Sequence, residues 1–280
     1  SSGTTFRSGS CGVADMGRLS PGWLKLCGCL AFTDSPAVPL LPHFLQSHAI
    51  ASASSSAAGA SDDWSGWHLG RRRYAVWVLE LHALGPAEGE AVRRACAQAR
   101  QALAAALVPR YERQLHVTLA TAGFLDGDAA LPDAYGAAEL SRDLRALQDL
   151  PAAPLQLEFG GWGSFEMAPY LQVRDRSQGG PTLGMLHGVL RPARPELALT
   201  EALRPYVPHV TLGAWNAAWP RAQVLQWISG LPVLEHWQAA VGEIALVSYA
   251  ADALHGPLTC HARYDLRGRR LQWRERPGWA

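Results

Sequence analysis

The sequence predicts a duplicated fold of alternating strands and helices. Two observations carry this. The order strand, helix, strand, helix, strand occurs twice after about residue 70. The tetrapeptide His-Val-Thr-Leu stands at the same point of each round, as His116–Leu119 and His209–Leu212. The size agrees: 280 residues, 48% of them hydrophobic, with 11 Trp, can fill one large core or two fused lobes.

Tyr74 to Leu81 (YAVWVLEL) opens the first round as a β-rich run. The segment from Glu88 to Val108 repeats Val92, Ala95, Cys96, Ala99, Leu103, Ala106 and Leu107 at helical spacing, and Pro109 ends it. A strand follows at Leu115 to Leu119. A helix around Ala137 to Gln148 sets Leu140, Leu144 and Leu147 on one face, and Leu155 to Phe159 alternates as a half-buried strand. The second round then begins. Tyr170 to Val173 is a strand, and Thr182 can cap a helix carrying Leu183, Leu186, Val189 and Leu190. Val207 to Leu212 is a strand, Pro220 to Ser229 a helix opened by Pro, and Val241 to Ser248 a strand. Cys260 to Leu266 and Arg270 to Trp273 add a hairpin around Arg267-Gly268-Arg269. From Tyr74 to His116 is 42 residues and from Pro169 to His209 is 40, so the two rounds also agree in spacing.

Residues 1–65 show no sustained period. They are rich in Ser, Gly and Pro, contain the tract from Ala51 to Ala58, and hold only Asp15 and Asp34 as acids before Asp62. They are expected to be a low-complexity extension, either a tail or an organelle-targeting segment. Residues 66–280 then form the functional domain, with lobe one at about 71–160 and lobe two at about 161–280.

A net charge of +1 argues against a non-specific polyanion binder but allows a short or mononucleotide-like phosphate ligand. Lys25 is the only Lys, so any cation meeting phosphate in the domain must be Arg or His. Five Cys without metal or redox spacing read as free thiols in a reducing, cytoplasmic setting. No apolar run is long enough to span a bilayer. No His stands in a metal-ligand pattern, so neither a metal nor another cofactor is expected.

The repeated tetrapeptide carries the chemistry. On a strand, His and Thr at i and i+2 share a face while Val and Leu anchor the other. Two such pairs meeting about a pseudo-twofold axis would put His116 and His209 on opposite sides of a phosphorus atom, one imidazole as base and one as acid. Thr118 and Thr211 could donate to the non-bridging oxygens, where charge must be held. One such motif is weak evidence, and two in register with a repeat are strong.

On these motifs the sequence resembles the 2H phosphoesterase superfamily, with its LigT-like 2′-5′ RNA ligases and RNA 2′,3′-cyclic phosphodiesterases. The resemblance covers about Arg71 to Asp265 in order of elements. It implies an α+β, bilobal, duplicated fold with two mainly antiparallel sheets, flanking helices and a central cleft. It also implies metal-independent hydrolysis of 2′,3′-cyclic or 2′-5′ phosphodiesters of an RNA end or small nucleotide, by a monomer that needs no membrane. By carry-over, His116 and His209 are the acid–base pair, and Thr118 and Thr211 bind phosphate. Two departures bear on substrate identity. Gly213-Ala214-Trp215 stands where many relatives have a basic residue, and Ala120-Thr121-Ala122 delays the turn at Gly123-Phe124-Leu125.

Trp162, Phe165, Tyr170 and Trp215 are candidates to stack on a base, with core packing as the alternative for each. Arg113 and Arg204 are candidates for the missing cation, and His187 reads as structural. The competing functional reading is a non-catalytic nucleotide-binding or scaffolding module on the same fold. A third is a structural protein in which the tetrapeptide is mere strand repetition.

Overall fold

The computed structural model describes residues 68, 70–126, 131, 133–191 and 206–279. The extension at 1–65 and Arg204 lie outside the described residues. The described strands are β1 (Arg73–Glu80), β2 (His116–Phe124), β3 (Leu155–Ser164), β4 (Pro169–Asp175), β5 (His209–Thr211), β6 (Trp237–Val241), β7 (Glu243–Ala250), β8 (Thr259–Asp265) and β9 (Arg270–Trp273). The described helices are α1 (Pro86–Ala102), α2 (Ala137–Gln148), α3 (Leu183–Leu190) and α4 (Arg221–Ser229).

The local signals explain these bounds. Pro occupies the first turn of α1, where its missing N–H costs nothing. Glu139 closes the N-terminus of α2 by accepting from the Gly136 N–H at 2.9 Å. Thr182 caps α3, its hydroxyl accepting from the Met185 N–H at 3.0 Å. β6 has no counterpart in the sequence reading. Its Gln and Ala have weak strand propensity, and it forms only because β3 offers an open edge from Leu155 to Phe159.

All strands join one sheet in the order β6-β3-β4-β5-β2-β1-β7-β8-β9, each antiparallel to its neighbours. This α+β arrangement corrects the expectation of two sheets. β2 and β5 pair at Val117 and Val210 and so fuse the halves. The seam is this short because Pro208 precedes His209 and has no N–H to extend the ladder. The Thr118 carbonyl accepts instead from the Tyr206 hydroxyl at 2.9 Å, and the Leu119 carbonyl from His187 Nδ1 at 2.7 Å.

The strands also do not part at residue 160. β3 lies with β4, β5 and β6, while β7 runs beside β1 from Arg73↔Ala250 to Val78↔Ala245 and carries β8 and β9 outward. Strands near residue 160 and strands near the C-terminus have thus changed sides relative to a simple sequential division.

One sheet face meets all four described helices in a single core. Trp77, Leu79, Val117, Leu119, Leu171 and Val210 enter it from the strands, and Val92, Leu147, Leu186 and Ile228 from the helices. Buried side chains of this size each contribute roughly 1.5–3 kcal/mol. Trp77 also donates its indole N–H to buried Asp143 at 2.9 Å, so the largest core ring is polar-satisfied. The opposite face carries a smaller cluster, Tyr74, Val76, Val78, Phe124, Val247 and Tyr249, closed by Leu254 and Leu258. It is this opposite face that bears the repeated His and Thr.

Candidate active site

Val117 and Val210 are both fully buried on the helical side and pair directly across the seam. Antiparallel register one step either way sets His116 across from Thr211 and Thr118 across from His209. Alternation then puts all four side chains on the face away from the helices. Directly opposed residues stand roughly 5 Å apart and diagonal ones roughly 7–8 Å at Cβ. The two His are the diagonal pair, which leaves room for a tetrahedral group between them.

Each imidazole is held alike. His116 Nδ1 donates to the Gln114 carbonyl at 2.7 Å, and His209 Nδ1 to the Val207 carbonyl at 2.7 Å. A carbonyl only accepts, so Nδ1 carries the proton in both rings. In the neutral ring Nε2 is therefore a lone-pair acceptor. A ring that donates from Nε2 must be imidazolium.

Both rings resist protonation. Burial is the main cause of His116's fall to about 4; its bond to Gln114 opposes that fall, while Arg113, His209 and Arg100 add to it. Burial also lowers His209, against its bond to Val207. Arg113 lies with its guanidinium 4.2 Å from the Tyr249 ring and donates to the Leu254 carbonyl. Its charge is one of those that lower His116.

Arg100 of α1 has a role that the sequence reading missed. Its Nε donates to the Leu212 carbonyl, the last of motif two, and its Nη2 to the Arg113 carbonyl at 3.4 Å, just before motif one. One side chain thus ties the exit of one motif to the entry of the other. Its i+4 relation to Cys96 made it part of an amphipathic helix, with no local sign of this reach.

The aromatic candidates separate. Phe165 meets the His209 ring edge-on at 4.7 Å and stacks on Tyr170 at 4.4 Å, and Tyr170 lies 5.5 Å from His209. Tyr170 can lie there because residue 163 is Gly: a Cβ at that position would collide with its ring. Trp215 and Trp162 do not join them. Trp215 is 3% exposed in the helical core, donates to Ser164 Oγ at 3.0 Å and packs on Trp227. Trp162 packs against that same core and donates to the Pro232 carbonyl at 2.8 Å. Both pack on the helical side of the sheet: Trp162 by the pleat of β3, and Trp215 in the segment after β5, where its backbone bridges to Leu107. His187 stacks on Tyr206 at 4.2 Å and braces β2 behind Thr118. Among the described residues no group of three His, Cys, Asp or Glu could hold a metal ion, and no helix is long and apolar enough to cross a membrane.

Solved structures that resemble the chain include E. coli LigT in apo form (17% identity, TM-score 0.40), E. coli LigT complexed with 3′-AMP (15%, 0.39) and a phosphoesterase (15%, 0.37). The two LigT structures each align over 70% of this chain and 98% of theirs, and the phosphoesterase over 72% and 94%. No curated protein sequence matches the chain significantly. Residues 84–253, more than half of the chain and spanning both tetrapeptides, match the 2′-5′ RNA ligase superfamily. The chain therefore belongs to the 2′-5′ RNA ligase superfamily, within the 2H phosphoesterases.

Proposed function

We propose that this protein is a phosphodiesterase that opens 2′,3′-cyclic or 2′-5′ phosphodiesters by two-histidine acid–base catalysis. The observation that carries this reading is the seam itself. Two His–Thr pairs oppose each other about Val117 and Val210, each His with its proton fixed on Nδ1.

Hydrolysis needs one neutral and one protonated ring. The neutral Nε2 takes a proton from water as the water oxygen attacks phosphorus. The imidazolium Nε2–H protonates the ribose oxygen as its bond to phosphorus breaks. Charge gained by the non-bridging oxygens is met by the Thr118 and Thr211 hydroxyls, and Arg113 and Arg100 add positive potential beside motif one. Phe165 and Tyr170 fix the His209 ring from its other side.

The test is incubation with a nucleoside 2′,3′-cyclic phosphate, with chromatographic identification of the product, for the wild type and for His116→Ala and His209→Ala. Ring opening to a monophosphate, lost in both variants and unaffected by EDTA, is expected. A protein that binds the nucleotide and never opens it would be a binding module instead.

A further inference from the structure

The geometry points to a second phosphate subsite on the His209 face, formed by Arg174, Arg176 and His236, which seats the nucleotides of an oligonucleotide beyond the one being cut. This rests on the phosphodiesterase reading and narrows its substrate class from mononucleotides to oligonucleotide ends.

The face is fixed by register. On β4, Leu171 pairs with Val210 and enters the helical core, while Gln172 pairs with His209. Gln172 and Arg174 therefore share the face of the catalytic candidates. Arg174 Nη2 lies 3.4 Å from Gln172 Oε1, so the row is continuous from His209 outward.

The arginines are held by one carboxylate. Glu158 on β3, opposite Arg174, accepts from Arg174 Nη1 at 3.2 Å, from Arg176 Nε at 3.1 Å and from His236 Nδ1 at 3.0 Å. Burial would raise the Glu158 carboxyl, but His236 and Arg176 outweigh it and hold the value below the ordinary one. Glu158 thus stays ionised. Two guanidiniums against one carboxylate leave the cluster positive even with His236 neutral.

The basic side chains remain open to solvent, at 37%, 52% and 54% exposure for Arg174, Arg176 and His236, while that of Glu158 is 9% exposed. Each guanidinium has five donors and spends only some on Glu158 and Gln172. Glycines keep this shelf low. A Cβ at Gly160 would lie 2.8 Å from His236 Nδ1, and one at Gly161 3.1 Å from Gln172 Oε1.

Reach decides the occupant. Two strand residues span about 7 Å, so Arg174 lies about that far past the His209 position and Arg176 about as far again. A nucleoside cyclic phosphate has a single phosphate, which the proposed mechanism puts between the histidines, and so it has no second phosphate to offer the shelf. A chain of nucleotides carries its next phosphates at steps of that order. Whole-chain charge is only +1, so this local excess is a directed feature.

The test compares a nucleoside 2′,3′-cyclic phosphate with a trinucleotide ending in the same group, across a salt series. In the wild type the trinucleotide should have at least a tenfold higher kcat/KM. Arg174→Gln and Arg176→Gln should each cut that ratio about three- to tenfold. Each should also flatten the trinucleotide's log–log salt slope by about 0.7, the single-strand value for one phosphate contact. Each single variant leaves Glu158 one arginine and His236, and a thermal melt checks that it folds. A ratio and slope unchanged in both variants would overturn the subsite. If neither substrate is cut, equilibrium titration with a 3′-phosphorylated trinucleotide and a 3′-mononucleotide separates the two readings. A trinucleotide preference that shrinks in the variants keeps the subsite and removes the phosphodiesterase; no preference removes the subsite.

Discussion

The two copies of His-Val-Thr-Leu are identical in sequence and differ in setting. Motif one lies on the nine-residue β2, paired on both sides, with Arg113 and Arg100 close enough to repel a proton from His116. Motif two lies on the three-residue β5, bounded by Pro208, and His209 is faced by the Phe165 and Tyr170 rings. No charged neighbour adds to the burial that lowers His209. On the proposed mechanism, the electropositive side favours a neutral His116 and leaves the proton to His209. The two identical tetrapeptides are thus set apart first by burial and then by their charged neighbours.

The sharpest way to break this comparison is to remove each ring. His116→Ala and His209→Ala should each cost about 10²–10⁴ in kcat/KM on a cyclic phosphate. The double variant should lose far less than the product of the two, since the rings act as a unit. A phosphodiester with a nitrophenolate leaving group needs little protonation. On it His209→Ala should recover most of its rate and His116→Ala should not; recovery by the opposite variant would reverse the assignment.

Next in size are the hydroxyls. Thr118→Val and Thr211→Val keep shape and strand propensity and delete one donor each, for an expected loss of roughly ten- to a thousandfold in kcat, read in steady-state kinetics. Unchanged rates in both would take the threonines out of the site.

The pH dependence sharpens the contrast further. The free enzyme holds both rings below their ordinary value, so the falling limb of kcat/KM should lie on the acid side of neutrality. The limb of kcat should lie higher, because bound phosphate supports the imidazolium. The same shift has a stability consequence. His116 stays neutral in the fold down to about pH 4, whereas the unfolded chain takes up that proton near 6.5. The unfolded state binds more protons between those values, so stability falls as pH drops through that window, by on the order of 3 kcal/mol in full. Denaturant melts at pH 7 and pH 4.5 should show a smaller drop for His116→Ala than for the wild type.

The smallest effect on activity is expected outside the site. Trp215→Phe leaves Ser164 Oγ without its indole donor and loosens the contact with Trp227, so Tm should fall while kcat/KM changes less than about twofold. A large kinetic loss without a change in Tm would return Trp215 to the substrate.

The sequence alone determined the pieces with local causes. Periodicity, Pro and Thr182 placed α2 to α4 closely and also the start of α1, which ends at Ala102, well short of the expected Val108, and strand alternation put His116 beside Thr118 and His209 beside Thr211 on one face. A covalent pattern with period two or 3.6 needs no tertiary knowledge to be read. Only the tertiary structure decided what depends on pairing across distance. It fused the halves at Val117 and Val210, sent β7 to β1, recruited β6 to an edge, and turned Trp162 and Trp215 inward while bringing Phe165 and Tyr170 to His209. Arg100, reaching across 112 residues of sequence to Leu212, belongs to the same class. Such contacts depend on which edge and which face remain open once the sheet has assembled, and no window of neighbouring residues carries that information.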